Sequence, residues 1–296
     1  MSDILNVNVG TRGSLLAVEQ TKLFLSWIQS HTPNTNFHIK TVHTSGDDAI
    51  EIVGAFVKEV ELELLAGNID IAIHSLKDMP TELHPNLALS AMPVRGYWED
   101  CLVSRHNVSF SELPYGSKIG TGSLRRIFQL RLLRPDLEFI PIRGNIITRM
   151  GKIESGLVDA VILAKAGLDR VNMTHKISYT FTRQEMLPAV AQGILAAETR
   201  VEENLELAKA LRPVHHVPTY MCAIAERSFL AGVGGGCKMP MAAFAQVENN
   251  EMTIEGIYFN EDGSKNSRNS IVGHYKDAQS LGLELANMLK VELQSK

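Results

Sequence analysis

The chain has 296 residues, 45% of them hydrophobic and 21% charged, enough for two or three domains with real cores. A formal net charge of −4 excludes a general nucleic-acid binder, which needs a broad basic surface, so any basic site must be local. Cys101, Cys222 and Cys237 are too few and too widely spaced for a disulfide framework or a zinc site, which points to a reducing cytosol.

The amino terminus, MSDILNVNVG, has neither a basic leader nor a long apolar segment, so no secretory signal is expected. ILNVNV, residues 4–9, predicts a strand running into TRGS. Ser14 is placed to cap a helix in which Leu16, Leu23 and Trp27, with Phe24 and Ile28 beside them, share one face. In NIDIAIHSLKDMP, Ile69 to Ile73 predict a buried strand, and Pro80 prevents a helix from following directly. His74, Ser75, Lys77 and Asp78 therefore collect at a strand's carboxyl end, where open α/β sheets bind ligands.

The positive charge gathers next. From Lys118 to Lys152 eight basic residues face only Asp136 and Glu138, a local charge of +6 that leaves −10 for the remainder. GTGSLRR pairs a serine suited to N-capping with two arginines in a first helical turn. Cations there oppose the helix dipole unless an anion or an acidic partner compensates, so Arg125 and Arg126 read as ligand-facing, whereas Arg131 and Arg134 read as a solvated helix face. In RGNIITRMGKIESG, Ile146, Met150 and Ile153 predict a buried stripe with Arg149 beside it, Arg143 precedes the helix, and Gly156 suits its end. Arginine forks match planar carboxylates, so the expected ligand carries several of them.

VDAVILA, residues 158–164, followed by KAGLDR, repeats the strand-then-helix arrangement. The most apolar run, residues 188–197, is far short of the roughly 20 residues that span a bilayer. Pro213 and Pro218 bracket a linker, AIAERSFLAG predicts a helix, MTIEGIYF a strand and residues 277–292 a final helix, which together read as a small α+β domain. Between them, VGGGCKMP gives up three side chains ahead of Cys237, as if that thiol must be held openly. Strands alternating with amphipathic stretches predict layered α/β domains with mainly parallel sheets; no internal repeat or low-complexity tract is visible.

TRGS, HSLKDMP, GTGSLRR, RGN, LPAVAQG and GGGC occur in the order and spacing of one family, and over nearly its whole length the chain resembles the porphobilinogen deaminases, or hydroxymethylbilane synthases. The resemblance implies two periplasmic-binding-protein-like α/β domains, residues 1–93 with 192–210 and residues 94–191, and a C-terminal α+β domain, residues 211–296. It implies a dipyrromethane cofactor held through a thioether to Cys237. It further implies a transferase reaction in which porphobilinogen units condense stepwise with loss of ammonia. Asp78 matches the family's catalytic aspartate and a cofactor contact; without the resemblance it would read as a turn aspartate before Pro80. Lys77, Ser123, Arg125 and Arg126 fall on cofactor-binding positions, and Arg12, Ser14, Arg143, Arg149, Arg170 and Phe56 on substrate-binding ones. The implied protein is a cytoplasmic monomer using porphobilinogen, with no metal, nucleic-acid or membrane partner. His74, His215 and His216 are expected to be hydrogen-bonded structural histidines, and Cys101 and Cys222 buried structural thiols.

The sequence departs from the family between Gly46 and Phe56, where GDDAIEIVGAF is shorter than the usual lid and lacks its GKG, although Phe56, Lys58 and Glu59 match. Gly122 replaces a common serine and Ala191 a common glycine. The trimmed lid keeps open a paralogue that elongates poorly, and the two-lobed architecture keeps open an anion receptor or ligand-sensing regulator. Neither a receptor nor a regulator explains Cys237 in its glycine loop.

Overall fold

The computed structural model describes residues 5–42, 57–201, 205–234 and 240–295. Phe56, the segment 46–56 and Cys237 with Gly235 and Gly236 lie outside the described residues. By contacts the chain divides into two units, Met1–Gly96 with Ile194–Tyr220, and Tyr97–Gly193 with Met221–Lys296.

In the first unit, β1 (Leu5–Arg12), β2 (Thr35–Val42), β3 (Ile71–Ser75), β4 (Leu87–Ala91) and β10 (Leu195–Arg200) form a sheet in the order β2-β1-β3-β10-β4. β1 runs parallel to β2 and β3, while β10 is antiparallel to β3 and β4. α1 (Leu15–Gln29) covers one face, where Phe24, Leu25 and Ile28 pack on Val7, Val9, Ile71 and Ile73; each such side chain contributes about 1.5–3 kcal/mol of burial. α2 (Lys58–Leu65) covers the other through Val60 and Leu64, and α6 (Leu205–Leu211) adds Leu207 and Leu211 to the α1 side. The buried face of α1 is Ala17, Gln20, Thr21, Phe24, Leu25 and Ile28. Leu16, Leu23 and Trp27 flank that stripe half-buried, so the expected face is rotated by about one position.

In the second unit, β5 (Asp100–Ser104), β6 (Lys118–Gly120), β7 (Glu138–Ile140), β8 (Ala160–Ala164) and β9 (Tyr179–Thr180) are ordered β7-β6-β8-β5-β9. β6 is parallel to β7 and β8, and β5 is antiparallel to β8 and β9. The two sheets thus share one pattern: three parallel strands, then two pairings that reverse direction. The expectation of mainly parallel sheets is corrected to mixed ones, because β10 and β5 each enter beside the parallel strands running the other way. α3 (Leu124–Leu133), α4 (Ile146–Glu154) and α5 (Lys165–Arg170) follow β6, β7 and β8. In α4 only Ile153 is fully buried, with Ile146 and Met150 packed partly against the same core, and Gly156 follows the helix with φ +78° as expected of a terminating glycine.

The C-terminal sheet is a meander of β11 (Met241–Glu248), β12 (Glu251–Phe259) and β13 (Asn266–His274), turned between β11 and β12 by Asn249 and Asn250 with φ of 50° and 68°. Its residues alternate cleanly. Met252 and Ile254 face α7 (Val217–Gly232) and α8 (Ala278–Ser295), whereas Ile257 and Phe259 meet Phe128 of α3. Gly282 lets the two helices meet, since an added Cβ would lie 2.1 Å from the Ala225 carbonyl oxygen. The expected Pro213–Pro218 linker is ordered: Pro213 sits in a 3-10 turn, Arg212–Val214, and Pro218 in the first turn of α7, where its missing N–H is harmless.

Cys101 and Cys222 are buried, as expected, and form no disulfide among the described residues. Burial pushes the Cys101 thiol up to about 12, so it is inert. No helix among the described residues is long and apolar enough to cross a membrane.

Candidate functional site

β3 is buried along Ile71 to His74, then gives way to a single 3-10 turn, Leu76–Asp78. The Leu76 N–H is held by the Ile194 carbonyl, the Met79 N–H closes the turn onto Leu76, and Pro80 stops it. The predicted strand is therefore two residues early, and His74 and Ser75 belong to its end. Because β1 and β3 are parallel, Arg12 at the end of β1 and Ser14 after it arrive at the same edge as Asp78. Arg12, Ser14, Gln20, His74, Ser75 and Asp78 supply the polar lining of one cleft, over Val60 and Ile73.

Ser14 caps α1 by accepting from the Ala17 N–H at 3.3 Å, as expected. Ser75 donates to Gln20 at 3.1 Å. His74 is buried, with Nε2 3.1 Å from Glu198 Oε2, which agrees with a structural histidine. Asp78 differs from its neighbours: it is exposed, and its carboxylate makes no hydrogen bond among the described residues. A turn aspartate would close its own turn, whereas here the backbone does so. Its oxygens are available to a ligand.

Glu61 on α2 lies near this lining, and its carboxyl is raised above the ordinary range by burial and then by the Glu198 carboxylate, with His74 and His84 pulling the other way. A raised carboxyl binds its proton more tightly when folded, so its stabilising share is present at acid pH and lost as pH rises through the raised value. Glu61→Gln is therefore expected to raise the thermal midpoint at about pH 7.5 and to change it little at about pH 4. The same shift at both pH values would contradict this.

The second unit holds the remaining basic residues. Ser123 occupies the N-cap of α3 with extended geometry, but its hydroxyl makes no capping bond, so the predicted cap is present in backbone only. Arg125 and Arg126 are buried, at 7% and 6% exposure. Arg125 Nη1 lies 2.6 Å from Asp100 Oδ2, and Arg126 Nη2 lies 2.7 Å from Oδ1. The charge argument for a ligand is thereby corrected: Asp100 is the acidic partner that makes two arginines tolerable in the first turn of α3. Those guanidiniums hold Asp100 far below the usual carboxylate range against the opposing effect of its burial. Arg134 is also corrected, from a solvated face to a C-cap paired with Asp136 and donating to Phe110, Leu113 and Pro114 carbonyls. Arg131 stays exposed, stacked 5.5 Å from the Phe139 ring centre.

Arg143 is exposed ahead of α4, Arg149 donates through Nε to the Gly144 carbonyl at 2.7 Å, and Arg170 ends α5 and donates to the Gly193 carbonyl at 2.9 Å. His215 accepts from the Met92 N–H, and His216 bonds Thr219, both in structural roles.

Three buried acids escaped the sequence reading. Asp100 organises the arginines, Glu198 holds His74, and Glu226 accepts from the Ala191 N–H at 2.6 Å and the Ala245 N–H at 2.8 Å. Their signal was an acid inside an apolar run, as in AIAERSF. Ala191 has φ 59°, the left-handed region that explains why glycine is common there. Removing Glu226 would strand two buried donors, so Glu226→Ala is expected to destabilise by about 2 kcal/mol or more. An unchanged urea midpoint would contradict the bracing role.

The chemistry of this set fits a polycarboxylate. Arg125 keeps Nε and Nη2 N–H groups with no partner among the described residues, and the Ser123 hydroxyl makes no capping bond at the amino end of α3. No group of His, Cys, Asp and Glu among the described residues could hold a metal ion.

A family model described as porphobilinogen deaminase, dipyromethane cofactor binding domain, matches residues 7–208, and one described as porphobilinogen deaminase, C-terminal domain, matches residues 220–291. The chain is 40% identical to the porphobilinogen deaminase of Clostridium novyi, over 98% of this chain and 100% of that protein. It is 41% identical to that of Syntrophus aciditrophicus, over 96% and 94%, and 42% identical to that of Deinococcus radiodurans, over 95% and 94%.

Proposed function

Because the chain belongs to the porphobilinogen deaminase family, we propose that Asp78 is its catalytic carboxylate and Cys237 the attachment point of its cofactor. The enzyme is a transferase of tetrapyrrole biosynthesis: it condenses four porphobilinogen molecules, each with loss of ammonia, into linear hydroxymethylbilane on a dipyrromethane cofactor. The dipyrromethane, when bound, supplies the pyrrole carbon to which the units are added.

Loss of ammonia from the aminomethyl group of porphobilinogen leaves positive charge on pyrrole nitrogen. The Asp78 oxygens accept a hydrogen bond from that N–H, stabilise the charge and take up the proton released when the new carbon–carbon bond forms. Each ring brings an acetate and a propionate. Lys77, Ser123, Arg125 and Arg126 hold those of the cofactor, Arg12, Ser14, Arg143, Arg149 and Arg170 those of the substrate, and Phe56 is a further substrate-binding residue. A guanidinium that orients a carboxylate holds the reacting carbons in line without touching them.

The observation that carries this reading is the exposed, uncommitted carboxylate of Asp78 in a cleft shared with Arg12 and Ser14. Two thiols without a disulfide among the described residues support a reducing, cytoplasmic setting, and the protein is read as a monomer. Purified protein incubated with porphobilinogen is expected to yield uroporphyrin after acid oxidation. Absence of any porphyrin, with substrate intact, would sink the reading.

A further inference from the structure

Asp100 opens β5 and is fully buried, and four donor contacts converge on its two oxygens. Arg125 Nη1 reaches Oδ2 at 2.6 Å; Arg126 reaches Oδ1 through Nη2 at 2.7 Å and Nε at 3.2 Å, and Gln192 Nε2 reaches Oδ1 at 3.1 Å. The guanidiniums are pinned further by carbonyls, Arg125 by Leu187 and Arg126 by Ile162. Gln129 locks the same corner, exchanging bonds with the Leu187 N–H and carbonyl. Every partner comes from a strand, a helix or the LPAVAQG turn.

Two guanidiniums and one carboxylate leave a net charge of +1 in a buried place. The Nε and Nη2 N–H groups of Arg125, which have no partner among the described residues on a side chain 7% exposed, are the edge on which that charge is offered. One ligand carboxylate neutralises the cluster; a second would meet the Asp100 charge across a low-dielectric gap.

We propose that Asp100 is a positioning residue for cofactor uptake, fixing the Arg125–Arg126 pair so that it receives one carboxylate and not two. This rests on the reading that the two arginines hold cofactor carboxylates. It assigns Asp100 no contact with the reacting atoms.

The test uses full-length apoprotein from cells unable to make porphobilinogen, incubated with porphobilinogen and followed by intact mass. Asp100→Asn is expected to keep the wild-type circular dichroism and to acquire the cofactor mass at least tenfold more slowly. Its thermal midpoint is also expected to rise with added sulfate more than that of wild type, because an outside anion replaces the lost charge. A smaller fall in uptake, or a sulfate response no larger than wild type, overturns the proposal. Arg125→Gln run in parallel separates the two levels: normal uptake there removes the underlying reading. Failed uptake there beside normal uptake in Asp100→Asn removes the present inference alone. Should Asp100→Asn not fold, Gln192→Glu carries the test by bringing the cluster to zero charge, with uptake at least tenfold slower expected and wild-type uptake overturning it. Failure of both variants to fold assigns Asp100 to the fold alone and overturns it too.

Discussion

Alanine at Cys237 is expected to abolish both turnover and the covalent mass increment while leaving the fold intact. The reason lies in what a thiol does that a methyl cannot. In the proposed attachment sulfur is the nucleophile and tether, and without it each condensation lacks an anchored acceptor. A thiol preceded in sequence by glycines fits that role, since glycine adds no side chain to clash with a bulky aromatic ligand, and Gly234 adopts φ +107°, which an L side chain rarely does. Cys101 and Cys222 cannot substitute, being buried in cores. Far-UV circular dichroism should match wild type. Normal turnover in Cys237→Ala, or retention of the added mass, would refute the attachment.

Asp78→Asn is the second large effect expected, and it should separate binding from chemistry. The amide keeps the size and one acceptor oxygen but loses the charge and the ability to take a proton, so kcat should fall by about 10²–10⁴. Stability should move by no more than about 0.5 kcal/mol, because the side chain is exposed and makes no hydrogen bond among the described residues. The cofactor should still be largely present by mass. Near-normal kcat would move the proton transfer to another group. A large loss of stability would instead make Asp78 a structural turn residue.

Much of this protein was legible in its sequence because local rules govern its motifs. The β3 strand ahead of Pro80, the Ser14 cap and the Gly156 stop are all decided within a few residues, and each is present, β3 shifted by two residues. Strand direction is decided elsewhere: whether β10 runs with or against β3 depends on a pairing between residues more than a hundred positions apart. The partner of Arg125 and Arg126 was hidden for the same reason, since Asp100 lies 25 residues earlier in WEDCL and becomes a counter-ion only when β5 pairs with β8. Helix α1 was misaligned by one position because Gln20 and Thr21 face inward, where a hydrophobic pattern does not look for them. The apolar contact of Phe128 with Phe259 joins the C-terminal sheet to the middle one, which no linker composition announces.

The intact mass of native protein, purified from cells that make porphobilinogen, addresses the anchored primer most directly. A mass above that of the bare polypeptide by two deaminated pyrrole units, mapped by peptide fragmentation to Cys237, is the result predicted. A bare polypeptide mass, or the same increment on another residue, would contradict it.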